Sequence, residues 1–224
     1  MMLIVYSLAT MVQLAVLGGQ PATAAEAFSL LQANRILGLM RLDLPTVLAM
    51  PLYYPLFLGL FAALRRADGA AHVTLATGLA FVGVTLLLAT PMALSMLHLS
   101  DKYAAATTDE ARAQLRAAGE AILAADMWHG TGAIMGGLLL EGSAVLVSVV
   151  MLRSSVFSKA TAYVGIVTHG LDLVHGVLGP VMPTAAFALM AIAGPLYLVW
   201  FALVGRRLLR LGLAPWRGLK ETAT

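Results

Sequence analysis

Six ionisable residues interrupt the apolar second half of the chain: Asp126 and His129, Glu141 alone, and His169, Asp172 and His175. Residues three apart on a helix project to nearly the same side. Asp126-x-x-His129 therefore reads as one pair, and His169-x-x-Asp172-x-x-His175 spans an arc of about 120° with Asp172 at its centre. Imidazole and carboxylate at such spacings suit zinc or iron, with a further carboxylate orienting each ring. The metal candidates are Asp126, His129, Asp172 and His175. The chain has no cysteine, which removes disulfides, thiolate zinc sites and cysteine-bound iron–sulfur clusters and leaves only nitrogen and oxygen donors. Haem is a weaker option: His129 could face His169 or His175 across a bundle, but no surrounding motif marks such a site. The same residue types also serve as structural pairs that fix one helix against the next.

Their setting makes them informative. The 224 residues are 60% hydrophobic and only 11% charged, with a mean hydropathy of +0.89. Soluble domains carry about 25% charged residues, and a soluble protein this apolar would expose large adhesive patches. The composition points to an integral membrane protein. A charge at the centre of a bilayer costs ~2.5 kcal/mol or more, so such a residue faces the protein interior, a partner or a ligand. The net charge of +3 comes from basic residues scattered beside apolar stretches, which fits orientation in a membrane and not a nucleic-acid surface. No glycine-rich phosphate loop and no Gly-x-Ser-x-Gly turn occurs.

A span needs about 20 mostly apolar residues. Six segments approach this: residues 2–19, 44–64, 73–99, 127–152, 161–179 and 184–205. The expectation is one all-α domain, a polytopic transmembrane bundle of six helices with both termini cytoplasmic, in the cell membrane and surrounded by its lipids. That arrangement places nine Lys and Arg residues inside and five outside, as the positive-inside rule requires. Ala22-Thr23-Ala24 resembles a signal cleavage site, but no Lys or Arg precedes Arg35, so the first helix is expected to be retained.

Two outer segments read as more than turns. Residues 107–120 form a helix with Thr108 as its N-cap, expected to continue into the fourth span. Residues 24–39 form a weakly amphipathic interfacial helix. Both could roof the bundle or remain solvated connectors. Pro91 and Pro195 are expected to interrupt the third and sixth spans. Gly132 and Gly136 allow close helix approach, as do Ala133 and Gly137. Arg41 and Asp43 read as headgroup anchors or a pair. Arg206, Arg207 and Arg210 read as contacts to anionic lipid, and Tyr53, Tyr54, Trp128, Trp200 and Trp216 as packing or interface residues.

Depth arithmetic sharpens the polar residues. On the six-span topology Glu141 lies about 18 Å below His129, and His169 about 12 Å above Thr161. The short connection makes the fourth and fifth helices neighbours, so Glu141 meets His169. Asp126, His129, Asp172 and His175 form a second group nearer the outside, with His98 at similar height.

The stretches NRILGLMRLDLPTVLAMPLYYPLFLGLFAALRR (34–66), SDKYAAATTDEARAQLRAAGEAI (100–122) and VVMLRSSVFSKATAYVGIV (149–167) resemble a prokaryotic family of multi-spanning membrane proteins classed as a domain of unknown function. The resemblance covers roughly residues 34–179. It implies a polytopic bacterial or archaeal membrane protein and assigns no catalytic residue. Three functions stay open. One is a non-enzymatic membrane protein whose polar pairs are structural or bind a small ligand or metal. Another is a zinc hydrolase acting on a lipid, because Ser95, His98 and the cluster are loosely similar to intramembrane hydrolases of the ceramidase and adiponectin-receptor type, which differ in helix number and histidine spacing. There, zinc would polarise a water with Asp126 or Asp172 as base. The last is a proton-coupled small-solute carrier with Glu141 and His169 on a water-accessible path.

Overall fold

A computed structural model describes residues 2–126 and 129–221, with the side chains of Leu14, Leu17 and residues 213–221 left aside. The described residues are helical and contain no strand. Among the described residues four helical stretches are long and apolar enough to cross a membrane: Leu44–Leu64, Ala70–Ala105, Thr131–Arg153 and Pro183–Gly212, the first two each built from successive helices.

The bundle is built from α4 (Leu44–Ala49) running through a short 3-10 turn into α5 (Tyr53–Leu64), then α6 (Ala70–Leu88), α9 (Thr131–Arg153), α10 (Lys159–Leu178) and α11 (Pro183–Glu221). Each contributes an apolar stripe at helical spacing. Tyr53, Phe57, Leu60 and Leu64 come from α5, Val73, Ala76, Ala80 and Val84 from α6, Leu140, Ala144, Val147 and Met151 from α9, and Trp200, Phe201 and Val204 from α11. At the α6–α9 crossing a Cβ on Gly83 would lie 2.7 Å from the Gly136 carbonyl oxygen, and one on Gly136 would lie 2.9 Å from that of Gly83. Only hydrogen fits there, so these two glycines set the backbone approach. Gly132 and Gly137 face no such crowding.

The remaining helices are α1 (Met2–Leu17), α2 (Ala24–Ala33), α3 (Arg35–Arg41), α7 (Ala93–Ala105) and α8 (Asp109–Ala124). Helices α2, α3, α7 and α8 make a cap on one end of the bundle, with its own core of Ala24, Ala27, Phe28, Leu31, Met92 and Met96. Gly119 lets α8 lie against α2, where a Cβ would come within 2.6 Å of the Ala24 Cβ. Glu120 accepts a hydrogen bond from the Ala24 N–H at 2.8 Å. The two segments are packed elements and not bare connectors.

Several boundaries differ from the sequence expectation, each for a local reason. The segment 73–99 is two helices: α6 ends before Pro91, which has no N–H to continue the ladder, and α7 restarts at Ala93. Segment 24–39 divides at Asn34, which ends α2 and caps α3 by accepting from the Leu37 N–H at 3.0 Å. Thr108 does cap α8, accepting from the Ala111 N–H at 3.2 Å, but α8 stops at Ala124 and does not enter α9. Pro195 interrupts nothing, since α11 is continuous through it. Helix α1 has 16 residues, fewer than the ~20 of a full span. Its Tyr6 hydroxyl donates to Thr46 at 3.0 Å, which joins α1 to the start of α4. Trp200 is fully buried in the core, whereas Trp128 and the start of segment 127–152 lie outside the described residues.

Candidate functional site

Helices α9, α10 and α11 are consecutive antiparallel neighbours. Counted from the connection they share, Glu141 lies twelve residues before Arg153 and His169 ten residues after Lys159, about 18 and 15 Å along the two axes. That register brings the two side chains together: His169 Nδ1 stands 2.6 Å from Glu141 Oε2, and both residues are buried. The contact expected from helix rise alone is present.

A third helix completes the group. The Tyr197 hydroxyl of α11 lies 2.7 Å from Glu141 Oε2 and 2.7 Å from Asp172 Oδ2. A phenol has one hydrogen to donate. For both contacts to be hydrogen bonds, one of the two carboxyl groups must itself carry a proton and donate to the phenol oxygen. Glu141 Oε2 already faces His169, so the arrangement that satisfies every contact runs Asp172 to Tyr197, Tyr197 to Glu141, with His169 Nδ1–H donating to the same oxygen. The four side chains form one connected set of contacts, on three helices.

Aromatic rings enclose this unit. The His169 ring stands edge-on to Trp200 at 4.4 Å and to Tyr197 at 5.0 Å, and Phe201 stacks on Tyr197 at 5.7 Å and meets Tyr53 at 6.1 Å. The Tyr53 hydroxyl is within electrostatic reach of Glu141 and Asp172. Beneath His169, Gly165 admits Ser148 and Trp200 close to the α10 backbone, since a Cβ there would meet Ser148 Oγ at 2.2 Å and Trp200 Nε1 at 2.5 Å. Asp172 and Tyr197 are half-buried, while Glu141 and His169 are sealed. Two clefts stand out on the molecule, one lined by residues 63–68 and 153–156 and one beside Met182 to Ala188. Neither includes a residue of the network.

Of the second expected group, Asp126 and His129 do pair, and Asp172 and His175 each have a partner on α11. Asp126, almost fully buried, accepts from the His129 backbone N–H at 2.7 Å and lies 2.9 Å from His129 Nδ1. This pair builds the turn between α8 and α9, where Gly130 is required because a Cβ would lie 2.7 Å from the Ala125 carbonyl oxygen. The His129 side chain itself is 71% exposed. His175 faces α11 instead, with Nδ1 3.0 Å from the Ala186 carbonyl oxygen. Asp172 belongs to Tyr197. Ser95 and His98 are exposed on α7. Among the described residues no three His, Asp or Glu side chains are grouped to hold a metal ion.

Sequence reasoning passed over two functional-looking residues. Tyr197 sits in an apolar helix and reads as an interface tyrosine; the signal was its i, i+3, i+4 relation to Trp200 and Phe201, which puts it on the core face. Asp43 reads in the sequence as a headgroup anchor or a partner of Arg41. It is fully buried and accepts from the Met92 and Ala93 N–H groups, capping α7, while Arg41 donates to the Gly19 carbonyl at 2.7 Å. Burial pushes the Asp43 carboxyl above the usual carboxylate range; the two amides pull it down, and the Asp126 carboxyl nearby pushes it further up. Comparison with protein-family models, with curated proteins and with solved structures finds no match to this chain.

Proposed function

We propose that the protein is a non-enzymatic integral protein of the prokaryotic cell membrane, with six spans and both termini cytoplasmic, of the multi-spanning family that its sequence resembles. Its functional centre is the Glu141–His169–Asp172–Tyr197 network, which takes up a proton together with a small hydrogen-bonding ligand. The observation that carries this reading is the single Tyr197 hydroxyl between two carboxyl groups. Here two acids are held by one phenol, and transfer of one proton along the row changes which acid is charged. Glu141 and His169 are sealed from the surroundings, so the half-buried Asp172 is where ligand and proton exchange. Metal chemistry through Asp126, His129, Asp172 and His175 draws no support from their separate hydrogen-bond partners.

Infrared difference spectroscopy of the detergent-purified protein tests the reading. A carbonyl band of a buried carboxylic acid is expected at neutral pH, lost in Asp172→Asn, shifted in Tyr197→Phe and unaffected by Asp43→Asn. A folded protein with no band that responds to Asp172 or Tyr197 overturns it.

A further inference from the structure

At the end of the bundle away from the cap, a cleft of about 230 Å³ opens between the α5–α6 and α9–α10 connections. Arg66 and Arg153 approach it from two separate segments, with Asp68, Ser154, Ser155 and Val156 also lining it. Among the described residues neither arginine forms an ion pair. Two guanidinium forks against one carboxylate leave the cleft net positive. Planar guanidinium groups match phosphate oxygens two at a time.

The floor is fixed before anything binds. Ser154 Oγ accepts from the Val156 N–H at 3.1 Å, and Ser158 caps α10 by accepting from the Thr161 N–H at 3.1 Å. From the third side Arg207 of α11 donates to the Val156 carbonyl oxygen. Arg65, Lys159, Arg206 and Arg210 are exposed and lie close in sequence to the lining or to Arg207. The volume equals roughly eight waters at ~30 Å³ each, the scale of a phosphate with its glycerol and not of an acyl chain. The cleft lies where the apolar helices α5, α6, α9 and α10 begin or end, the level of lipid headgroups.

We infer that this cleft is a binding site for the phosphate headgroup of an anionic phospholipid of the cytoplasmic leaflet, gripped by Arg66 and Arg153. The inference rests on the membrane placement proposed above. Phosphate could also arrive as the free anion, and the test separates the two sources.

Full-length protein, first shown to resist carbonate extraction from membranes, is titrated with phosphatidylglycerol or phosphatidylcholine and read by native mass spectrometry. Phosphatidylglycerol is expected to be retained about tenfold or more over phosphatidylcholine. That preference is lost in Arg66→Gln/Arg153→Gln and only partly kept in Arg66→Lys/Arg153→Lys, which retains the charge without the planar fork, with unfolding temperature in zwitterionic detergent unchanged. Equal retention of the two lipids, or a preference that survives the glutamine variant, overturns the site. Displacement of phosphatidylglycerol by millimolar inorganic phosphate assigns the cleft to a free anion and overturns the lipid. Carbonate extraction of the protein removes the membrane reading itself.

Discussion

Glu141 and His169 meet at 2.6 Å near the midpoints of two antiparallel helices, with His169 1% exposed and its Nε2 buried without a partner. An acid and an imidazole so enclosed depend on each other. Removing one strands the other in a medium that cannot solvate it.

The first prediction follows from that dependence. Glu141→Ala should cost about 3–5 kcal/mol, because an uncompensated polar group is left behind, whereas Glu141→Leu/His169→Phe should cost clearly less. Denaturant unfolding in detergent measures both. A double replacement as damaging as the single one would show that the pair is not a coupled unit.

Tyr197→Phe removes only the hydroxyl. The expected loss is about 1–3 kcal/mol, from two carboxyl groups left without their shared partner. In a double-mutant cycle with Asp172→Asn, the coupling should reach about 0.5–3 kcal/mol, while the cycle with Asp126→Asn should be additive. Additivity in the first cycle would break the proposed row of hydrogen bonds.

Asp43 gives the cap a dependence on pH. Burial raises its carboxyl, so the folded chain holds this proton more tightly than the unfolded chain does. Stability from the group is full in acid and declines as pH rises from the ordinary carboxylate range through the folded value. Thermal unfolding across that interval should fall for the wild type and flatten for Asp43→Asn. Asp43→Ala should cost a further ~0.5–2 kcal/mol through the lost cap on α7. Equal slopes in wild type and Asp43→Asn would refute the assignment.

Adjacent glycines in α9 offer a sharp contrast. Gly136→Ala puts a Cβ 2.9 Å from the Gly83 carbonyl oxygen and should destabilise by about 1–3 kcal/mol. Gly137→Ala has nothing within 4 Å and should be neutral or stabilise by about 0.4–1 kcal/mol, by restricting the unfolded chain. Similar effects at the two sites would mean that α6 and α9 do not cross there.

What the sequence disclosed followed from regular geometry. The rise per residue and a short α9–α10 connection were enough to pair Glu141 with His169, and the apolar stretches marked the long helices. What it hid depended on irregular backbone. Asp43 gains its meaning only once Pro91 has broken the helix and left the Met92 and Ala93 amides to be capped. Asp126 and His129 pair as their spacing suggested, but between α8 and α9 and not on one continuous helix. Tyr197 was obscured differently. Its ring suits an apolar helix, and only tertiary packing reveals that its hydroxyl points inward to two acids.

Helix α11 carries Tyr197 into the buried network and, ten residues on, carries Arg207 to the Val156 carbonyl that floors the cleft. Those points are about 15 Å apart along one uninterrupted helix. A rod of this kind transmits displacement with little slack. If proton movement shifts Tyr197 along the axis, the far end travels with it, and a load on the cleft pushes back on the phenol. The buried network and the cleft are thus joined by one continuous helix, with no loop between them.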